Sequence, residues 1–155
     1  MPERTVQLND VIPLLREQLA SGQSVKFFPK GNSMLPMLKP GRDSVILSPV
    51  PDRLHKGDLP LYQRENGQYV LHRVIAAGVC YTCCGDNLVA LETGVKHSQM
   101  IALVTSFTRN GKPVSVNALS YRLYCHFWMA SRPVRLLWRK GKSLLKRLLG
   151  FLKVV

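Results

Sequence analysis

Three short segments of this 155-residue chain carry side chains that could do covalent chemistry. The first is Gly31-Asn32-Ser33-Met34-Leu35-Pro36, a serine on a glycine-led turn. Such a turn can expose a hydroxyl and aim nearby backbone N–H groups at a developing oxyanion, although most Gly-x-Ser turns are only turns. The second is Leu71-His72-Arg73-Val74. An imidazole beside a serine can remove the hydroxyl proton and later deliver it to the leaving amine; a lone strand histidine is more often structural. The third is Gly85-Asp86-Asn87. A carboxylate there could orient the imidazole and stabilise its cation, and the same triplet suits an ordinary turn.

The surrounding pattern says what must position these groups. Residues 8–20 place Leu8, Ile12, Leu15 and Leu19 on one helical face, with Asn9 or Asp10 as cap and Pro13 taken as lying in the first turn. From residue 24 to about 108 short β-rich runs alternate with turn signals, among them Asn66-Gly67 and Asn110-Gly111. One of these runs, residues 68–77, carries the histidine; with a period of two, His72 and Val74 share one face and Leu71 and Arg73 the other. Helical patterns return over 119–131 and 134–153, split at Arg132-Pro133. The expected organisation is therefore an N-terminal helix (1–22), a β body (23–115) and a basic amphipathic helical arm (116–155).

In order, the segments G-N-S-M-L-P, P-G-x-D-x-V-x-L, K-G-D-L-P-L-Y, L-H-R-V-I and G-D-N resemble the catalytic boxes of the signal peptidase I family, within the LexA/signal peptidase superfamily of serine peptidases. The resemblance spans about residues 27–108 and is to the branch in which a histidine inside an H-R-V box replaces the lysine base. It implies a mainly β fold with a barrel-type body, and endoproteolysis of leader- or signal-like precursors. Ser33 matches the nucleophile, His72 the base and Asp86 an acid; Glu92 is the candidate for a second acid. The Ser33 N–H would contribute to the oxyanion hole, and Gly31 stands where some relatives carry a serine donor. Gly31, Asn32, Met34 and Pro36 would border the oxyanion hole and substrate groove. Phe27-Phe28-Pro29 fits equally a groove wall or core packing. No cofactor or metal is implied, and the substrate would be an extended peptide.

The chain departs from that family in front of the nucleophile box. A membrane-spanning helix is usual there, whereas this chain has only residues 8–20, with Asp10, Arg16 and Glu17 among them. The first ten residues, rich in charge and lacking an apolar stretch, do not read as a secretory signal. Nor does any run of 18 uncharged apolar residues suggest a transmembrane helix. Pro60 stands inside the K-G-D box, where it removes a ladder donor.

The net charge of +13 is distributed unevenly. Residues 1–92 hold 10 Lys/Arg against 9 acids, a net of +1; residues 93–155 hold 12 Lys/Arg and no acid, a net of +12. A tail of that kind seeks a polyanion. Over 134–153 leucines gather on one side and Arg135, Arg139, Lys140, Lys142, Lys146, Arg147 and Lys153 on the other, which favours an anionic membrane surface over nucleic acid. The expected place is thus peripheral, on the cytoplasmic face of a membrane. Two rival functions stand beside the peptidase: an inactive peptidase-fold module that binds membrane or nucleic acid, and a LexA-like self-cleaving regulator. The latter would need a DNA-binding domain and a lysine base.

Cys80, Cys83 and Cys84 form a C-x-x-C-C cluster without a second C-x-x-C, and Cys125 stands apart. They read as small strand residues rather than as a metal site or disulfides. His55, His97 and His126 have no partner motif, and Trp128 and Trp138 fit core or interface positions.

Overall fold

A computed structural model of the chain describes residues 8–138 and 141, with side chains from residue 11 onward. Helix α1 (Leu8–Ala20) is followed by strands β1 (Val25–Phe27), β2 (Val45–Ser48), β3 (Pro60–Gln63), β4 (Tyr69–Leu71), β5 (Arg73–Ala77), β6 (Tyr81–Cys84), β7 (Glu92–Val95), β8 (Met100–Arg109) and β9 (Lys112–Ser115). A 3-10 turn at His97–Gln99 precedes β8, and helix α2 (Leu119–Ala130) follows β9. The chain is helical again over 132–138.

The body is mainly β, built from two antiparallel sheets rather than the expected barrel. The larger has the order β1-β2-β8-β3-β4, with β9 also on β8; the smaller has the order β5-β6-β7. The reason for the division lies at His72. The β run expected over 68–77 breaks there, with β4 in one sheet and β5 in the other. The hairpin at Asn66-Gly67 forms, with Gly67 at φ +84° and Gln63 opposite Tyr69. At the second turn both Asn110 (φ +52°) and Gly111 (φ +76°) take the positive φ that a two-residue hairpin requires. Pro60 sits at the first position of β3, where a missing N–H is tolerated.

The larger core joins both helices to the sheet. Ile12, Leu15 and Leu19 of α1 and Tyr121 and Cys125 of α2 pack with Val45, Leu61, Leu71 and Val104. Each fully buried Leu or Ile adds about 1.5–3 kcal/mol. Pro13 is the sixth residue of α1, beyond the first turn, and is exposed. Leu8 and the expected cap, Asn9 or Asp10, fall where side chains lie outside the described residues. The smaller core contains Leu54, Tyr62, Val74, Tyr81, Cys83, Val95 and Met100. Cys80 is exposed, Cys83, Cys84 and Cys125 are buried, and all four are free thiols. Among the described residues no helix is long and apolar enough to cross a membrane.

The alternation read from sequence assigns the faces around His72. Leu71 joins the larger core, and Arg73 reaches Met37, Tyr121 and Cys125 of that core; Val74 joins the smaller one, and His72 meets Tyr62 there. Arg73 is fully buried. Its Nε and Nη2 donate to the two oxygens of Asp86, both at 2.8 Å. Nη1 donates to the Gly57 carbonyl, the Tyr121 hydroxyl and Cys125 Sγ, and Nη2 also to Met37 Sδ. Burial works against the charged guanidinium, but the bonds and charge of Asp86 outweigh it and raise the Arg73 pKa. Replacing Asp86 by Asn leaves this cation buried beside a neutral amide. Asp86→Asn is expected to lose about 3–5 kcal/mol of stability in urea denaturation; a loss below about 1 kcal/mol would show that the pair does not anchor the fold.

Candidate active site

Ser33 lies in the turn between β1 and β2 that sequence reading singled out. Gly31 adopts φ +100°, open to glycine and strained for other residues. Asn32 is exposed, Ser33 half-buried, and Met34 is buried in the larger core while also meeting the cleft. Pro36 is exposed and follows a cis peptide bond.

The Gly85-Asp86-Asn87 turn grips this loop from the side. The Asn87 backbone N–H donates to the Ser33 carbonyl at 2.8 Å, and its side-chain amide donates to the Asn32 carbonyl at 3.1 Å. Gly85 is required for contact: a Cβ there would stand 2.6 Å from the Ser33 carbonyl oxygen. Two loops distant in sequence are thus physically joined.

His72 is 1 % exposed. Its Nδ1 lies 2.9 Å from Glu92 Oε1 and 3.3 Å from the Tyr62 hydroxyl. Tyr62 donates to Glu92 Oε2 at 2.8 Å, and Arg64 donates to both carboxylate oxygens, through Nε at 2.9 Å and through Nη2. Of the two acids proposed from sequence, Glu92 therefore meets the imidazole, while the Asp86 carboxylate is bound by Arg73. Asp86, matched to a catalytic acid from sequence, thus does not meet the ring, and of the two acids left open for orienting it Glu92 is the one in place. Adjacent strand residues point to opposite faces, so His72 and Arg73 cannot both turn to one acid.

Burial pushes the His72 pKa below its ordinary value of 6.5; the nearby Glu92 charge opposes this and Arg64 adds to it. The ring is thus neutral at pH 7, the form a general base needs. Burial pushes Glu92 upward, but bonds from Arg64 and Tyr62 and the charge of His72 bring its net pKa below the usual range. Burial also raises Cys83 to about 12, leaving it a thiol. The linkage has a definite sign. The unfolded chain takes up the His72 proton first, so stability is lost as pH falls below 6.5 toward the lower folded value.

With Nδ1 turned to Glu92, Nε2 is left as the acceptor of the neutral ring. Among the described residues no hydrogen bond joins Ser33 to His72. Catalytic bonds are often long without substrate and tighten in the reacting complex. Ser33, Val70 and Leu71 line one cleft of about 220 Å³, and His72 is not among its lining residues. Its walls come from β1 and the segment after it, through Phe27 and Phe28, and from β4, through Tyr69 and Val70. Phe27 also packs against the core, while Phe28 is 52 % exposed with the Lys26 ammonium 5.4 Å from its ring centre. Since β1 and β4 end the sheet order, the cleft runs between two strand edges.

No family model, curated protein or solved structure matches this chain. The site therefore rests on its own geometry. Sequence reading missed Tyr62 and Arg64. The signal that could have found them is the hairpin register: Leu61 faces Leu71 and Tyr62 faces Val70, which puts 62, 64, 70 and 72 on one face. Among the described residues no group of three His, Cys, Asp or Glu could hold a metal.

Gly85→Ala tests the union of the loops. The new methyl group must displace the Ser33 carbonyl, at a cost of about 1–3 kcal/mol. Amide exchange at Asn87 should accelerate relative to β6 and β7, and unchanged exchange would refute the contact.

Proposed function

We propose that this protein is a serine endopeptidase of signal-peptidase type, cutting extended leader-like precursor peptides. The observation that carries the reading is the imidazole of His72, buried, bonded at Nδ1 to Glu92 and on the same strand face as Val70, which shares a cleft with Ser33. Ser33 Oγ attacks the scissile carbonyl while His72 Nε2 accepts its proton. The tetrahedral oxyanion is met by backbone N–H groups of the Ser33 turn. Collapse breaks the C–N bond, the imidazolium protonates the leaving amine, and the acyl-enzyme is hydrolysed by a water activated in the same way. An extended substrate adds as a strand between the β1 and β4 edges, its backbone bonded to the strands and one side chain in the apolar cleft.

The protein works at an anionic lipid surface. Of the basic arm, residues 139, 140 and 142–153 lie outside the described residues. Val134, Leu137 and Trp138 are exposed, at 67, 70 and 62 %. On α2, Leu119, Leu123 and Phe127 recur every four residues and are likewise exposed, at 71, 50 and 73 %. An apolar stripe of this extent in the all-basic part of the chain suits the headgroup boundary, where each nearby Lys or Arg contributes about 1 kcal/mol. Arg135, read from sequence as a headgroup contact, stacks instead over Trp128, 3.5 Å from its ring centre.

Two measurements test these statements. In a proteome-derived peptide library read by mass spectrometry, with anionic vesicles present, the protein should create new termini. Ser33→Ala and His72→Ala should each reduce cleavage on the order of 10⁴–10⁶-fold, the first with unchanged melting and the second with lowered melting, because it empties a buried site. Equal cleavage by Ser33→Ala, or none by the unaltered protein, would exclude the mechanism. In flotation, binding should require anionic lipid, weaken with salt and fall when Leu123 and Phe127 are both changed to Ser. Binding to neutral vesicles that salt leaves unaltered would exclude the electrostatic surface.

A further inference from the structure

Glu92 is held by more than the histidine it touches. Arg64 donates to both of its oxygens and is itself fixed by Gln68, whose Oε1 accepts from Arg64 Nη1 at 2.6 Å across the hairpin turn. Tyr62 is fully buried; its hydroxyl donates to Glu92 Oε2, and its oxygen lies 3.3 Å from His72 Nδ1. Tyr62 from β3 and Arg64 from the β3–β4 hairpin thus converge on one β7 carboxylate that faces one imidazole.

We propose that Arg64 and Tyr62 are positioning residues, a clamp that fixes the Glu92 carboxylate so that His72 carries its proton on Nδ1 and presents Nε2 as a weak, neutral base. The inference deepens the peptidase reading and rests on it for its consequence in catalysis, but the clamp has a readout of its own. A carboxylate free to rotate could offer either oxygen to the ring or turn to water. One that accepts two bonds from a planar guanidinium and one from a buried phenol has a single orientation. The cation also limits how far Glu92 can stabilise an imidazolium. Arg64 lowers the His72 pKa where Glu92 raises it.

The charged and titratable groups around the ring are Glu92 from β7, Tyr62 from β3, Arg64 from the hairpin and, farther off, Asp86. Cys83 from β6 stands beside Tyr62 and stays protonated. Removing Arg64 takes away a repelling cation and frees Glu92 to pair with the ring. Both changes favour the imidazolium, so the His72 pKa must rise. Removing the Tyr62 hydroxyl frees one carboxylate lone pair and raises it less.

The test is histidine-selective nitrogen NMR on the full chain, first in a Ser33→Ala background so that no turnover is needed. Arg64→Gln should raise the His72 pKa by about one unit and weaken the Nδ1–H tautomer signature. Tyr62→Phe should raise it by less, and it keeps the experiment available if Arg64→Gln does not fold. Arg64→Lys restores the charge without the fork, so the pKa should return most of the way while the tautomer signature stays weakened. In the cleaving protein the acid limb of kcat/KM should move upward with the NMR value, kcat falling and KM holding. An unmoved His72 pKa and tautomer in both Arg64→Gln and Tyr62→Phe would overturn the clamp. Moved NMR values with no cleavage by the Ser33 protein would overturn the peptidase reading and leave the clamp standing. Cleavage whose acid limb stays fixed while the NMR pKa moves would separate the clamp from catalysis and overturn its positioning role.

Discussion

A fully buried guanidinium is the constraint on which the rest of this structure depends. Taking the Arg73 charge out of water costs several kcal/mol unless a counter-charge and enough acceptors come with it. The acceptors come from widely separated parts of the chain: Asp86 in the turn after β6, the Gly57 carbonyl before β3, Met37 beyond the serine turn, and Tyr121 and Cys125 on α2. Satisfying one side chain therefore brings the serine loop, the Gly-Asp-Asn turn, the Lys-Gly-Asp segment and helix α2 into a single arrangement. It also places the turn whose Asn87 holds the Ser33 carbonyl. Breaking such a network exposes an uncompensated charge, so it behaves as one unit rather than as a sum of bonds.

The second consequence follows from strand geometry. His72 and Arg73 are neighbours, so their side chains leave the backbone in opposite directions. One enters the larger core and takes Asp86; the other enters the smaller core and takes Glu92. Two acids of similar chemistry acquire different duties because the environments differ. Asp86 neutralises a permanent cation in the interior. Glu92 faces a titratable ring at a partly open site, where Arg64 and Tyr62 hold it. The site thus combines a buried neutral imidazole with a carboxylate whose own charge is secured by Arg64.

Much of this was legible in the residues and some was not. The helix over 8–20, the two Asn-Gly turns and the separation of Leu71 and Arg73 from His72 and Val74 came from local periodicity and turn chemistry, whereas the serine and Gly-Asp-Asn turns were linked only by the resemblance to signal peptidase boxes. Strands β7 and β9 did not. Glu92-Thr93-Gly94-Val95 has a glycine at φ +75° and one buried apolar residue, and Lys112-Pro113-Val114-Ser115 carries a proline on an outer strand. Neither has the alternation that identifies a strand, and each exists through the partner it pairs with. Tyr62 and Arg64 escaped for a related reason. An unpaired strand reads as one face among many, and only the register across the hairpin puts these two beside His72.

The sequence by itself therefore determined the local elements, the polarity of charge along the chain and the residue types able to perform acyl transfer, because each depends on neighbours within a few positions. Only the tertiary structure decided that the body opens into two sheets, that Asp86 belongs to Arg73 and Glu92 to His72, and that the Ser33 loop is carried by a glycine 52 residues away. Those outcomes depend on which buried charge finds which acceptor. That is settled by desolvation in an interior where each polar group must be satisfied, and no window of sequence contains it.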